Sequence, residues 1–231
     1  MNRQTESAPR ETAGAKRRNA IFTALHDCVI EKGYSATSLA DVARAAGMSP
    51  SHLLYYFPGK DAILVEYFSE MTRRIFARLD ALREQPPEQQ VDLLATLFFT
   101  GKAISRSENG FMLECFGIAV HNKELRQAKT ELDLYCKSYL REFLAKTPCG
   151  PANAANAAEV AYALLVGLRT ATYFDERLEP QLAYRIFRSQ LLQISGLDRQ
   201  SPKKKGKAKN QVNRKGTVKR RASQLSGRSQ A

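Results

Sequence analysis

The sequence predicts an all-α chain of about nine helices, and three observations carry that reading. Between residues 16 and 198 the apolar residues recur at helical spacing. Runs that alternate apolar and polar residues between turn signals, as a half-buried strand requires, are hard to find. Proline, glycine and asparagine cut the helical pattern into pieces of helix length.

The elements follow in order. Ile21, Ala24, Leu25, Cys28 and Val29 fall on one stripe of a first helix that ends at the Lys32-Gly33 stop signal. Leu39, Val42, Ala43 and Ala46 make a short second helix, and Pro50 to Phe57 a third. Ile63, Leu64, Tyr67, Phe68, Met71, Ile75, Leu79 and Leu82 trace a long fourth helix, from Lys60 or Asp61 to the Pro86-Pro87 break. Its length suits a connector between two parts of the chain. Residues 88 to 106, 110 to 122, 124 to 146, 154 to 175 and 179 to 195 read as five more helices, separated by breakers such as Asn109-Gly110 and Pro148-Cys149-Gly150-Pro151.

The last two helices are apolar on more than one side, with Val160, Leu164 and Leu168 on one and Tyr162, Leu165 and Val166 on another. A helix apolar on two sides needs two partners. One is the rest of the domain; the second is expected to be another copy of the chain, in the isologous arrangement of most homodimers.

Composition narrows the function classes. Lys+Arg number 36 against 23 Asp+Glu, a formal charge of +13. That excess is concentrated at residues 199 to 231, which hold twelve Lys/Arg and no Asp/Glu, so the body is close to neutral. With almost no apolar residues there, the tail is expected to be a disordered basic segment, as is an arm over residues 1 to 14. A body with 43% hydrophobic and 9% aromatic residues excludes collagen-like, wholly disordered and disulfide-scaffold classes. No apolar run reaches the roughly 18 residues of a membrane span, and the polar start lacks the apolar region of a secretory signal. A soluble, cytoplasmic protein with no membrane partner is expected.

Nothing in the sequence assembles a catalytic or metal site. Cys28, Cys115, Cys136 and Cys149 lie far apart with no C-x-x-C pair and no histidine at ligand spacing. His26, His52 and His121 occur in no H-E-x-x-H or G-x-S-x-G setting, and a phosphate-cradling glycine loop is lacking. Neither enzyme activity nor a cofactor is expected.

The informative segment is Thr37 to Lys60, TSLADVARAAGMSPSHLLYYFPGK. Ser38 followed three residues later by Asp41 is a capping-box pattern that starts the second helix. Ala43 is small enough for the next helix to approach closely, and Gly47 four positions on can take the left-handed conformation that ends one helix and turns to the next. Ser49-Pro50 restarts the chain with an N-cap and a proline at the first helical position. Val42, Ala46, Met48, Leu53 and Tyr56 or Phe57 supply the apolar side. The pattern is a helix-turn-helix with Pro50 to Phe57 as its recognition helix.

Gly33-Tyr34 after the first helix, Thr37-Ser38, Ala43, Ala46-Gly47-Met48-Ser49, Leu53, Tyr55-Tyr56-Phe57 and Lys60 together resemble the N-terminal domain of the TetR family of transcriptional regulators. The resemblance covers roughly residues 15 to 75; later helices are similar only in number, length and order. It implies a head over residues 15 to 61, extending to about 75, and a helical effector-binding and dimerisation domain over 62 to 198. It further implies a ligand-responsive regulator, most simply a homodimeric repressor of a palindromic double-stranded DNA operator, associated with the bacterial nucleoid when bound and released by a small-molecule inducer.

Within that frame Pro50, Ser51 and His52 begin the recognition helix and are placed to touch base edges, with His52 able to donate or accept a specific hydrogen bond. Thr37, Ser38, Ser49, Tyr55, Tyr56 and Lys60 are expected to hold phosphates, Lys60 matching the family's lysine at the start of the fourth helix. Leu54 departs from the pattern, standing where many members carry a tyrosine. Phe98, Phe111, Phe116, Tyr135 and Tyr139 are candidate ligand contacts on the helices that would surround a pocket. Two other classes are open at this point: a non-specific, basic architectural protein that binds nucleic acid through its tail, and an all-α small-molecule binder or enzyme.

Overall fold

The computed structural model describes residues 12–200. Among them are nine α-helices, one short 3₁₀ turn and no strand. The helices are α1 Ala13–Lys32, α2 Leu39–Ala45, α3 Pro50–Tyr56, α4 Lys60–Leu82, α5 Pro87–Phe99, α6 Arg106–Ile118, α7 Lys123–Ala145, α8 Pro151–Phe174 and α9 Pro180–Ser195, with the 3₁₀ turn at Leu197–Gln200. The arm and tail expected to be disordered lie outside the described residues apart from their inner ends. There α1 begins earlier than expected, at Ala13, because the Thr12 side chain accepts the Ala15 N–H and caps the first turn.

The first three helices enclose a small core of Ile21, Leu25, Val42, Leu53 and Phe57, each almost fully removed from solvent. That core continues without a break along α4 through Ile63, Leu64, Phe68, Ile75 and Leu79 into the helices beyond. There α7 packs on α8 and α4, while α9 packs on α5 and α8. Phe99 of α5 meets Phe187 of α9 with ring centroids 5.4 Å apart.

Two predicted helices are displaced. α5 stops at Phe99 instead of running on to 106, since Gly101 takes a left-handed φ of 73°. α6 starts at Arg106 because Ser105 and Glu108 form a capping box: the Ser105 side chain accepts the Glu108 N–H at 3.1 Å, and Glu108 accepts the Ser105 N–H at 2.8 Å. Asn109-Gly110 is therefore not a breaker but part of the first turns of α6. The end of the Tyr173 side chain lies over Gly110, where a Cβ would stand 2.5 Å from its hydroxyl oxygen and displace it.

Candidate nucleic-acid interface

The head is built by its caps. Ser38 Oγ accepts the Asp41 N–H at 3.1 Å and Asp41 accepts the Ser38 N–H at 2.9 Å, so the predicted capping box closes. Lys32 of α1 lies 2.8 Å from the same Asp41, and the lysine together with Ser38 holds that carboxyl well below the usual carboxylate range. The reciprocal bonds fix the angle at which α2 leaves the loop. The turn into α3 uses Gly47 at φ 67°, with the Met48 N–H reaching back to the Ala43 carbonyl at 3.0 Å. Ser49 Oγ then accepts the His52 N–H at 3.2 Å, and Pro50 opens α3.

This geometry turns one face of α3 inward and the other outward. Val42, Ala43 and Leu53 are fully buried at the crossing. Pro50, Ser51, His52, Leu54 and Tyr55 are exposed, as are the capping residues Ser38 and Ser49. Tyr55, 83% exposed, meets Tyr56 edge-on with centroids 5.3 Å apart, and His52 lies 5.5 Å from the same Tyr56 ring. The half-buried Tyr56 packs on the core and supports its two neighbours. The aromatic ledge so formed carries the hydrogen-bonding groups of His52 and Tyr55 on its outer side.

Two residues expected at phosphates are engaged inside the protein. Thr37 is buried, and its hydroxyl donates to the carbonyls of Gly33 at 2.8 Å and Cys28 at 3.2 Å, tying the loop to the end of α1. It presents no group to a phosphate. The Lys60 ammonium donates to the carbonyls of Tyr34 at 2.8 Å and Thr37 at 2.6 Å and sits 4.0 Å from the centre of the Tyr34 ring. Two of its three donors are thus spent on the α1–α2 loop, and burial lowers its pKa. Basic groups that motif reading passed over are freer. The Arg44 side chain is 79% exposed and pairs with Asp41 through one nitrogen at 3.5 Å, and Lys16 and Arg17 are exposed near the start of α1. Lys16 and Arg17 precede the helix-turn-helix and Arg44 is neither a cap nor a turn residue within it, so they gave no sequence signal beyond their charge.

The head is joined to the rest of the chain through α1. Arg18 pairs with Glu66 of α4 and its guanidinium lies 4.7 Å from the Phe57 ring centre. Phe22 stacks on Tyr67 of α4 with centroids 5.2 Å apart. The buried His26 bonds Tyr67 of α4 and Ser107 of α6 and stacks on Phe111. Tyr34 N–H donates to Glu114 of α6 at 2.9 Å.

A second candidate site lies between α4 and α8, a cavity of about 40 Å³, enough for a few waters. Of the aromatic residues expected there, Phe98 and Phe116 line it, and Tyr139 borders a smaller void that also touches Phe98 and Cys136. Phe111 is fully buried against His26 and Tyr67, so it belongs to the α1–α4–α6 contact. Tyr135 stacks on Phe76 at 3.9 Å and donates to Asp80 at 2.5 Å, away from the cavity. Aromatic identity marks both kinds of position, and only packing separates them. The sequence reading missed Asn109, Tyr162 and Arg169, which bring polar groups to the cavity wall. Burial pushes the Cys136 thiol up to about 12 and the Cys115 thiol higher still, the reverse of the shift a reactive thiolate needs. Among the described residues no group of His, Cys, Asp and Glu is arranged to hold a metal, and no helix is long and apolar enough to cross a membrane.

Comparison with known proteins matches this architecture. Residues 21–67 match the sequence model of bacterial regulatory proteins of the tetR family, and residues 65–195 match that of the C-terminal part of BetI-type transcriptional repressors. The HTH-type transcriptional regulator RutR of Escherichia coli K12 is 35% identical over 75 residues. That alignment spans 32% of this chain and 35% of RutR, so the chain matches only about a third of the length of the curated relatives. Among solved structures, a transcriptional regulator from Rhodococcus sp. Rha1 is similar with a TM-score of 0.69 at 19% identity, covering 77% of this chain and 95% of that one. A Saccharomonospora viridis protein described as a transcriptional regulator, solved in complex with choline, is similar with a TM-score of 0.67 at 16% identity, covering 78% and 96%. At these identities the likeness is one of fold.

Proposed function

The chain belongs to the TetR family of bacterial regulatory proteins, and from that premise we propose that it is a homodimeric, ligand-responsive repressor of a palindromic operator. The observation that carries the proposal is the outward face of α3, where Pro50, Ser51, His52 and Tyr55 project from a helix-turn-helix locked by two capped N-termini. Pro50, Ser51 and His52 read base edges in the major groove. Ser49, Tyr55 and Tyr56, with Arg44, Lys16 and Arg17, hold the phosphates, and Lys60 offers its remaining donor; Ser38 is not among them, since its hydroxyl donates to Asp41 at 2.6 Å and its N–H to the same carboxylate. The head carries only eight Lys/Arg against six Asp/Glu over residues 1 to 61, a balance suited to specific rather than charge-driven affinity.

The α8 surface supports the dimer. Val160 is 58% exposed and Phe174 70% exposed, although Tyr162 and Leu165 on the other side of the same helix are buried. A second copy set against this face gives each half-site of the operator one head. Induction acts through α6, which supplies Met112 and Phe116 to the cavity and Ser107 to His26 of the head. A ligand that favours one placement of α6 shifts the population of head spacings by its differential affinity for the two states. The protein acts in the cytoplasm, on the nucleoid when bound to DNA.

Selection of bound sequences from a random duplex library at near-physiological salt tests this, using the full-length chain and a chain truncated after Leu197. A common palindrome recovered by both, with half-sites about one helical turn apart, is the expected result. Enrichment of no sequence, with binding lost on truncation, would leave the basic tail as the only nucleic-acid element and favour a non-specific architectural role.

A further inference from the structure

We infer that the effector of this chain is an amphipathic anion, a carboxylate on an apolar body, held by Arg169 of α8. This rests on the reading of the cavity between α4 and α8 as the effector site. Arg169 is the one Lys, Arg, Asp or Glu among the residues lining that cavity. It also lines a neighbouring hollow of about 130 Å³, which shares Phe98 and Asn109 with the first and is bordered by Arg106. Arg169 therefore borders two openings.

Its bonding is incomplete for a half-buried cation. Nη2 donates to Asn109 Oδ1 at 2.7 Å, the Asn109 amide donates back to the Arg169 carbonyl at 3.0 Å, and the guanidinium lies 5.7 Å from the Phe98 ring centre. None of these partners is an acid, and a guanidinium has five N–H donors. Burial lowers its pKa to about 10, which leaves it charged at neutral pH.

The acids nearby are already neutralised. Asp133 is 2.6 Å from Lys129 and accepts from Tyr162. Glu108 is 3.0 Å from Arg74 and caps α6. Cys136 and Tyr162 are held neutral by burial. The cavity thus has an excess of one positive charge. An unpaired buried charge is costly, and the cost is relieved when an opposite charge completes its hydrogen bonds. A carboxylate matches the planar fork bidentately, and the adjoining hollow of about 130 Å³, walled by Phe98, Phe99 and Ile104, gives its apolar part the room that the smaller cavity lacks. A quaternary ammonium, such as the choline in the Saccharomonospora viridis structure, would meet a like charge here with no free acid to offset it.

The test uses the full-length protein with benzoate and octanoate, their amides, and benzyltrimethylammonium. Binding is read by thermal shift, and release by fluorescence anisotropy on the operator duplex recovered by selection. At least one carboxylate is expected to raise the Tm while the amides and the ammonium leave it unmoved. Arg169→Met should weaken that carboxylate about 10- to 100-fold. Asn109→Asp places an acid against Arg169 and should abolish the carboxylate response while raising the Tm of the free protein, which keeps the idea testable if Arg169→Met fails to fold. Equal stabilisation by an amide or the ammonium, a carboxylate response unchanged in the variants, or silence of both carboxylates overturns the proposal. A carboxylate that binds through Arg169 but leaves the operator occupied would keep the anion site and sink the effector reading. Release by the ammonium alone would do the opposite.

Discussion

His26 Nε2 lies 2.7 Å from Ser107 Oγ, joining the first helix of the head to the first turn of α6 across 81 positions of sequence. The other ring nitrogen is 3.2 Å from the Tyr67 hydroxyl of α4. A neutral imidazole has one donor and one acceptor nitrogen, so the ring makes both bonds without charge. Three helices therefore meet on one side chain, and α6 is also a wall of the cavity.

Burial is the largest influence on His26 and lowers its pKa below the ordinary 6.5. Above 6.5 the ring is neutral in both folded and unfolded chains. As pH falls below 6.5 the unfolded chain takes the proton first, so stability declines with acidification until the folded pKa is passed. The His26→Gln variant lacks that dependence. Its Tm deficit relative to the native protein should shrink between pH 7.5 and 5 in calorimetry, and a constant deficit would show that His26 does not titrate differently on folding.

Thr37→Val keeps the shape and removes a hydroxyl that serves two carbonyls. The expected cost is about 1 to 2 kcal/mol in denaturant unfolding. The salt dependence of operator affinity should not change. A reduced salt slope at unaltered stability would return Thr37 to the phosphate contacts.

Lys60→Met separates two roles of one ammonium. Loss of the bonds to Tyr34 and Thr37 should lower the Tm, and the slope of log affinity against log salt should fall by less than the roughly one unit expected of a full phosphate ligand. A full unit lost with the Tm intact would make the lysine chiefly a DNA contact.

His52→Ala removes the one imidazole on the outer face of α3. Specificity at one base pair per half-site should relax, at a cost of about 1 to 3 kcal/mol. Stability should hold, since His52 is exposed and only its backbone N–H serves the cap. An unchanged footprint and affinity would exclude it from base reading.

Val160→Glu puts a charge on the exposed apolar face of α8. Light scattering should then report a monomer, and binding to the full palindrome should fall towards that of a half-site. A dimer that survives would move the interface elsewhere.

The sequence by itself determined the order of helices and the DNA-reading head. Caps, turn glycines and proline positions act through bonds between residues three to five apart, and Ser38, Gly47, Ser49 and Pro50 each formed the local structure their types require. The displaced α6 had its signal in Ser105 and Glu108, outweighed in sequence reading by the more conspicuous Asn109-Gly110. What only the tertiary structure decided was which side chains are spent and which are available. Thr37 and Lys60 turn inward because distant carbonyls need donors. Phe111 and Phe116 are indistinguishable as residue types, yet one is buried against His26 and the other lines a cavity. Arg169 is an ordinary arginine at residue 169 of the chain until α5, α6 and α7 close round it and leave a half-buried charge bonded to an amide rather than an acid. Local bonding is written in short spacings, whereas availability depends on what packing brings together from far along the chain.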